Sequence, residues 1–167
     1  KDDRGIAVME ELAHLWNDGR LKVIHGDALK VNLLESVPAP RKIVANLPYN
    51  VGTMLLLQWL DDIARYGKDT YESMTLMFQD EVASRIIASP DTSEYGRLSV
   101  ISQFLCECRY DFQLPPGAFS PPPKVHSAVI TLTPHEKPLS PVSKDALEKV
   151  VAAAFGQRRM MLRSALK

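Results

Sequence analysis

Two stretches of this chain read as a strand that runs straight into a helix, and that pairing restricts the fold more than any other feature. In "RKIVANLPYNVGTMLLLQWL" a short β-branched run, Lys42 to Ala45, precedes an amphipathic helix from about Gly52 to Arg65. In "ESMTLMFQDEVASRIIAS" an apolar run, Met74 to Phe78, precedes a helix carrying Glu81, Val82, Arg85 and Ile86. A helix after each strand covers the sheet and brings the chain back for a parallel neighbour. The expected class is therefore α/β, a mostly parallel sheet with helices on both faces.

The other segments fit that frame. "RGIAVMEELAHLWNDGR" has a helical period at Ile6, Met9, Leu12, Ala13 and Leu15/Trp16 and stops at Asn-Asp-Gly. "LKVIHGDAL" reads as a short buried strand, Leu21 to His25, ended by Gly26-Asp27. "GRLSVISQFLCEC" reads as a helix and "RYDFQLP" as extended chain. "GAFSPPPKVHSAVITLTP" is a proline-stiffened loop and then a strand alternating at Val125, Ser127, Val129 and Thr131. "SKDALEKVVAAAFGQRRMMLRSALK" reads as two helices broken near Gly156, with Ser143 as N-cap. "PHEKPLSP", Pro134 to Pro141, has the composition of a linker.

Composition excludes several classes. No apolar run approaches the ~20 residues of a membrane helix, because Gln58 and Asp61 interrupt "LLLQWLDDIA". Two cysteines, Cys106 and Cys108, are too few and too close for a disulfide framework, and without a nearby His pair they do not make a zinc site. The expectation is reduced thiols, no metal and a cytoplasmic location. The formal net charge is zero, yet "QRRMMLRSALK" carries Arg158, Arg159, Arg163 and Lys167 with no acid. A balanced total can hide a basic face, so the charge alone leaves nucleic acid open.

Ligand chemistry in open α/β sheets sits at the carboxyl ends of strands. Both polar interruptions, Gly26-Asp27 and Asn46-Leu47-Pro48-Tyr49, fall at expected strand ends. An Asn amide oxygen and a backbone carbonyl held by a proline are two acceptors suited to an amino group with two hydrogens. A Tyr ring beside them offers a stacking face for a base, worth roughly 1–3 kcal/mol. Together they suit the exocyclic amine of a planar ring such as adenine. Acceptors on its hydrogens favour a pyramidal nitrogen, whose lone pair can then attack an electrophile. An isolated Asn-Leu-Pro-Tyr also serves as a plain turn, and Asp27 also fits an Asx turn.

The motifs together resemble those of the ribosomal RNA small-subunit adenine dimethyltransferase family. "NLPYN" is similar to its catalytic motif and "GDAL" to its strand-end aspartate motif. "FQDEVASRIIA", "YGRLSV" and "FSPPPKVHSAVITL" resemble further signatures, and "AAFGQRRMMLRSALK" resembles the start of its helical C-terminal domain. The match runs in order over essentially the whole chain. His126 departs from it, standing where the family usually has an acidic residue.

The resemblance implies a Rossmann-like class I S-adenosylmethionine-dependent methyltransferase fold. It would comprise a partial methyltransferase domain (residues 1–134), a linker (135–142) and the beginning of a helical RNA-binding domain (143–167). It implies that Asp27 and Ala28 receive the cofactor's adenine, with Asn46 also at the cofactor. Asn46 with the Leu47 or Pro48 carbonyl would grip the target amine, while Tyr49 and Phe119 would sandwich a flipped-out adenine. Arg158, Arg159, Arg163 and Lys124 would contact RNA. The implied reaction is dimethylation of two adjacent adenines near the 3′ end of small-subunit (16S) rRNA in the 30S particle, by an enzyme monomeric when complete. The alternatives are a non-catalytic RNA-binding assembly factor and a large-subunit methyltransferase of the antibiotic-resistance type.

The family's glycine-rich cofactor loop has no counterpart in these residues, and its acidic ribose ligand has none unless Asp2 or Asp3 takes its place. The expectation is a fragment whose first strands are missing. The 167-residue chain alone is accordingly predicted to bind S-adenosylmethionine poorly or not at all. Isothermal titration checks this, and micromolar binding would contradict it.

Overall fold

The structure, a computed structural model, describes residues 3–15, 19–137, 139–156 and 161–165. It divides into two compact units, residues 1–33 and 34–167. In the first, helix α1 spans Asp3–Leu15 and a 3₁₀ turn spans Ala28–Lys30. Val8, Met9, Leu12 and Leu15 of α1 stay exposed. His25 Nε2 lies 3.3 Å from Glu10 Oε1. Trp16 and the Asn17-Asp18 stop signal fall outside the described residues.

The strand expected at Leu21–His25 is not formed: these residues are irregular and half-buried or exposed. Its apolar pattern suits a strand, but a strand exists through backbone pairing. No neighbour pairs with it among the described residues.

The second unit opens with the short helix α2 (Leu33–Ser36) at the boundary. It continues through β1 (Lys42–Asn46), α3 (Gly52–Tyr66), β2 (Ser73–Gln79), α4 (Asp80–Ile87) and α5 (Arg97–Leu105). Then come β3 (Cys106–Leu114), β4 (Ser127–Pro134), α6 (Lys144–Gly156) and α7 (Leu162–Ala165). The strands form one sheet in the order β1-β2-β4-β3.

The sheet is mixed, which corrects the expectation of a mostly parallel one: β1 and β2 are parallel, whereas β2–β4 and β3–β4 are antiparallel. The cause is the connection between β3 and β4. It is a proline-rich loop with a single 3₁₀ turn, Pro116–Ala118, not a helix, and such a loop turns the chain back antiparallel. "CEC", read as helix, opens β3 because Cys106 and Cys108 pair with Pro134 and Leu132 of β4. Pairing across the sheet overrides the local helical pattern there.

The alternation along β2 buries Met74, Leu76 and Phe78 on one face. Ala128, Ile130 and Leu132 of β4 lie beside them in register and are fully buried. Leu55, Leu56, Trp59, Leu60 and Ile63 of α3, Ile86 of α4 and Ile101 of α5 complete this core. Burying each such side chain stabilises by roughly 1.5–3 kcal/mol. On the other face Thr75, Met77, Val129 and Thr131 are half-buried, and Val44 is 81% exposed.

Burial pushes the thiol of Cys108 up to about 12, helped by Glu107, and raises that of Cys106 further, so both stay protonated at neutral pH. Tyr71, 1% exposed, donates its hydroxyl to Asp62 Oδ2 at 2.7 Å, tying the start of β2 to α3. The first residue of α6, Lys144, is buried and lies 2.5 Å from Asp61 of α3 and 2.8 Å from Glu148. Burial disfavours its ammonium, but the hydrogen bonds and charges of the two carboxylates outweigh this and raise its pKa. Gly52 sits where a Cβ would come within 3.1 Å of Leu47 Cβ and 3.2 Å of the Phe78 ring.

Two outcomes are expected. Lys144→Gln should lower stability at pH 7 by about 1–2 kcal/mol in denaturant titrations. Because the folded pKa lies above the ordinary 10.5, the difference should be fully present below pH 10.5 and fade as the pH rises through the folded value. Gly52→Val should cost about 1–3 kcal/mol by overpacking against Leu47 and Phe78, read as a lower urea midpoint at unchanged slope.

Candidate active site

The site begins where the β1–β2 ladder ends. Register pairs Asn46 with Met77, and one further hydrogen bond, Leu47 N–H to the Met77 carbonyl at 3.3 Å, carries the pairing past the strand. The chain then turns at Pro48. Its carbonyl accepts from the N–H groups of Val51 (3.2 Å) and Gly52 (2.9 Å), and α3 starts from that turn. Leu47 is buried, anchoring the turn in the core, while Asn46, Pro48 and Tyr49 are exposed. The missing side chain at Gly52 lets the first turn of α3 lie directly on Leu47 and Phe78.

This arrangement separates the two carbonyls that the motif offered as amine acceptors. That of Pro48 already serves two donors of the helix start. That of Leu47 takes no backbone donor among the described residues, and the Asn46 amide has no hydrogen-bond partner among them either. A side-chain amide oxygen and the Leu47 carbonyl are thus the pair of acceptors left at the strand end.

Asn46, Leu47, Pro48, Tyr49 and Phe119, five residues expected to act together, line one pocket of about 360 Å³. Tyr49 enters from the turn after β1, and Phe119 from the loop before β4, where its N–H is held by the Pro116 carbonyl at 3.2 Å. Met77, Phe78, Pro121, Pro123 and Ser127 complete the lining. Those five were not singled out from sequence. The alternation of β2 and β4 was the available signal, since Met77 and Ser127 share the sheet face of Asn46. The loop is anchored at its far end by Asp80 N–H donating to the His126 carbonyl at 3.0 Å. Asp80 Oδ1 also accepts from Tyr110 Oη at 2.6 Å, and burial together with this bond pushes that phenol up to about 12.

Asp27 and Ala28 lie in the first unit, both exposed. Asp27 caps the 3₁₀ turn, its Oδ1 accepting from Leu29 N–H at 3.1 Å. Lys124 is exposed in the loop before β4, and Arg163 is exposed on α7. Arg158 and Arg159 lie outside the described residues. Among the described residues no group of His, Cys, Asp and Glu is placed to hold a metal ion, and no helix is long and apolar enough to cross a membrane.

Residues 4–167 match the family described as ribosomal RNA adenine dimethylase. The chain is 52% identical over 167 residues to the ribosomal RNA small subunit methyltransferase A of Jannaschia sp. (strain CCS1), covering 100% of this chain and 57% of that protein. It is 52% identical over 166 residues to the protein of the same name from Gluconobacter oxydans (strain 621H), covering 99% of this chain and 53% of the other. A crystal structure of a dimethyladenosine transferase from Plasmodium falciparum superposes with a TM-score of 0.80 at 26% identity, over 98% of this chain and 56% of that one. The chain therefore spans about half the length of these relatives. With its mixed sheet, its helices and its match over residues 4–167, the chain belongs to the ribosomal RNA adenine dimethylase family.

Proposed function

We propose that this chain is the part of an rRNA adenine dimethyltransferase that grips the target base. The protein transfers methyl groups from S-adenosylmethionine to the exocyclic amines of two adjacent adenines near the 3′ end of small-subunit rRNA. The observation that carries the reading is the single pocket in which Asn46, Leu47, Tyr49 and Phe119 meet. The relatives' names support the small subunit over the large, and they support an enzyme over a passive assembly factor.

The Asn46 amide oxygen and the Leu47 carbonyl accept the two amine hydrogens. That aims the nitrogen lone pair and removes its conjugation with the ring, and orientation supplies much of the acceleration. A guanine would instead set its own oxygen against two acceptors and be repelled. Tyr49 and Phe119 bind the ring's faces once the base has left its stack. The cofactor supplies an electrophilic methyl on a sulfonium, so no metal or nucleophilic side chain is required. Asp27 fits the cofactor's adenine amine: one carboxylate oxygen holds the side chain to Leu29 and the other remains to accept, beside the exposed Ala28. Residues 143–167 begin a helical RNA-binding region in which Arg158, Arg159 and Arg163 neutralise phosphates, with Lys124 contributing from the loop. The protein works as a monomer in the cytoplasm on the 30S particle.

Labelled cofactor and unmethylated small-subunit particles, with the natural polypeptide that carries this sequence, test the reading. Asn46→Ala should lower transfer by about 10²–10³-fold, and Tyr49→Ala by about 5- to 150-fold, as loss of stacking predicts. Equal transfer by Asn46→Ala would overturn the proposal, and binding without any transfer would favour the assembly-factor role.

A further inference from the structure

The pocket holds one polar side chain that the amine grip does not use. Ser127 is 2% exposed and lines the pocket, yet its hydroxyl has no hydrogen-bond partner among the described residues. The residue is packed into the wall, but its hydroxyl is not among the sealed polar atoms, so it stays available to a molecule in the pocket. Ser102 Oγ, buried and without a partner among the described residues, is by contrast sealed from all access. The Ser127 residue borders open space.

Register states which face of the sheet Ser127 occupies. Asn46 pairs with Met77, Met77 with Val129, and Ser127 stands two residues before Val129, so all share one face of the sheet. Asn46 thus marks one side of the pocket, Met77 its floor and Ser127 the other side, two strands away. Strands lie about 4.8 Å apart, and Ser127 is also offset by two residues, about 6.8 Å, along its strand. The two backbone positions therefore stand diagonally on the order of 12 Å apart, with room for a base between their side chains. Apart from Leu47, the remaining walls (Pro48, Tyr49, Phe78, Phe119, Pro121 and Pro123) are aromatic or proline and suit a flat ring.

Resting on the base-gripping reading above, we infer that Ser127 reads the target base. Its hydroxyl donates a hydrogen bond to a ring-nitrogen acceptor on the purine edge while Asn46 and Leu47 hold the amine. The polarity follows from the ligand. Away from its amine an adenine edge presents acceptor nitrogens and no N–H, so the partner must donate. A serine hydroxyl can rotate to do so. With acceptors at one side of the slot and a donor at the other, the base is fixed in the plane between Tyr49 and Phe119. Stacking alone leaves that rotation free. Ser127 is therefore a binding residue that orients the ring and contributes to the choice of adenine.

The test uses the natural polypeptide carrying this sequence and reconstituted small-subunit particles. The target base is adenine, 7-deazaadenine, 3-deazaadenine or 1-deazaadenine, each analogue lacking one acceptor nitrogen. Ser127→Ala should reduce transfer to adenine about five- to tenfold with an unchanged thermal unfolding temperature. The reduction should vanish with the analogue that lacks the partner nitrogen, which identifies the atom. Ser127→Cys, which keeps the volume and a weaker donor, should fall between; it carries the comparison if the alanine variant is unstable. Transfer by both variants equal to that of the unsubstituted protein, or an equal loss on all four bases, would overturn the assignment. No transfer by the unsubstituted protein would instead overturn the methyl-transfer reading, and this assignment with it.

Discussion

The parallel pairing of β1 with β2 ends at Asn46 and Met77, and the geometry of the pocket depends on that ending. One extra hydrogen bond, Leu47 to Met77, holds the chain on the sheet for one more residue. The Pro48 carbonyl then gathers the first N–H groups of α3. A chain released one residue earlier would free the amide of Asn46 from the sheet's frame. One released later would spend the Leu47 carbonyl on the ladder. The burial of Leu47 against Gly52 and Phe78 favours that stopping point, because moving it would empty a packed site in the core.

The walls of the pocket come from segments far apart in sequence, so their mutual position needs separate support. Asp80 joins β2 to the loop before β4 through its N–H and to β3 through Tyr110. On the open sheet face, Thr131 donates to Asp111 Oδ2 at 2.5 Å and meets Thr75 at 3.2 Å. Arg109 donates to the other Asp111 oxygen at 2.6 Å. Burial opposes ionisation of Asp111, but the Thr131 hydroxyl and Arg109 outweigh it and hold the carboxyl below its ordinary range. These bonds lock β2, β4 and β3 in register on the face that carries Met77 and Ser127.

Most of the described helices and three of the four described strands were legible in the sequence because their periodicities are uninterrupted. α3 and α4 each follow a strand, and β2 alternates without a break. The errors fall where pairing decides. Leu21–His25 has a strand's composition without a partner among the described residues, and Cys106–Cys108 has a helix's context with a partner in β4. Sheet direction was misjudged because it depends on what joins β3 to β4, and a proline-rich loop carries no periodic signal. Asn46, Tyr49 and Phe119 were identifiable from their motifs. Ser127 was visible only as one residue of an alternating strand.

By itself the sequence determined the α/β class, the strand-to-helix turn and the residue types available to grip an amine. Each follows from local rules: periodicity, proline's fixed φ and the hydrogen-bonding capacity of an amide. Only the tertiary structure decided which carbonyl stays available, since Pro48 is committed to α3 by contacts that no residue type reveals. It also decided that β4 runs antiparallel beside β2, which carries Ser127 to the same pocket as an asparagine 81 positions earlier in the chain. Distance along the chain says nothing about such neighbours. Register does, because side chains alternate strictly across a sheet and only every second residue can face the base.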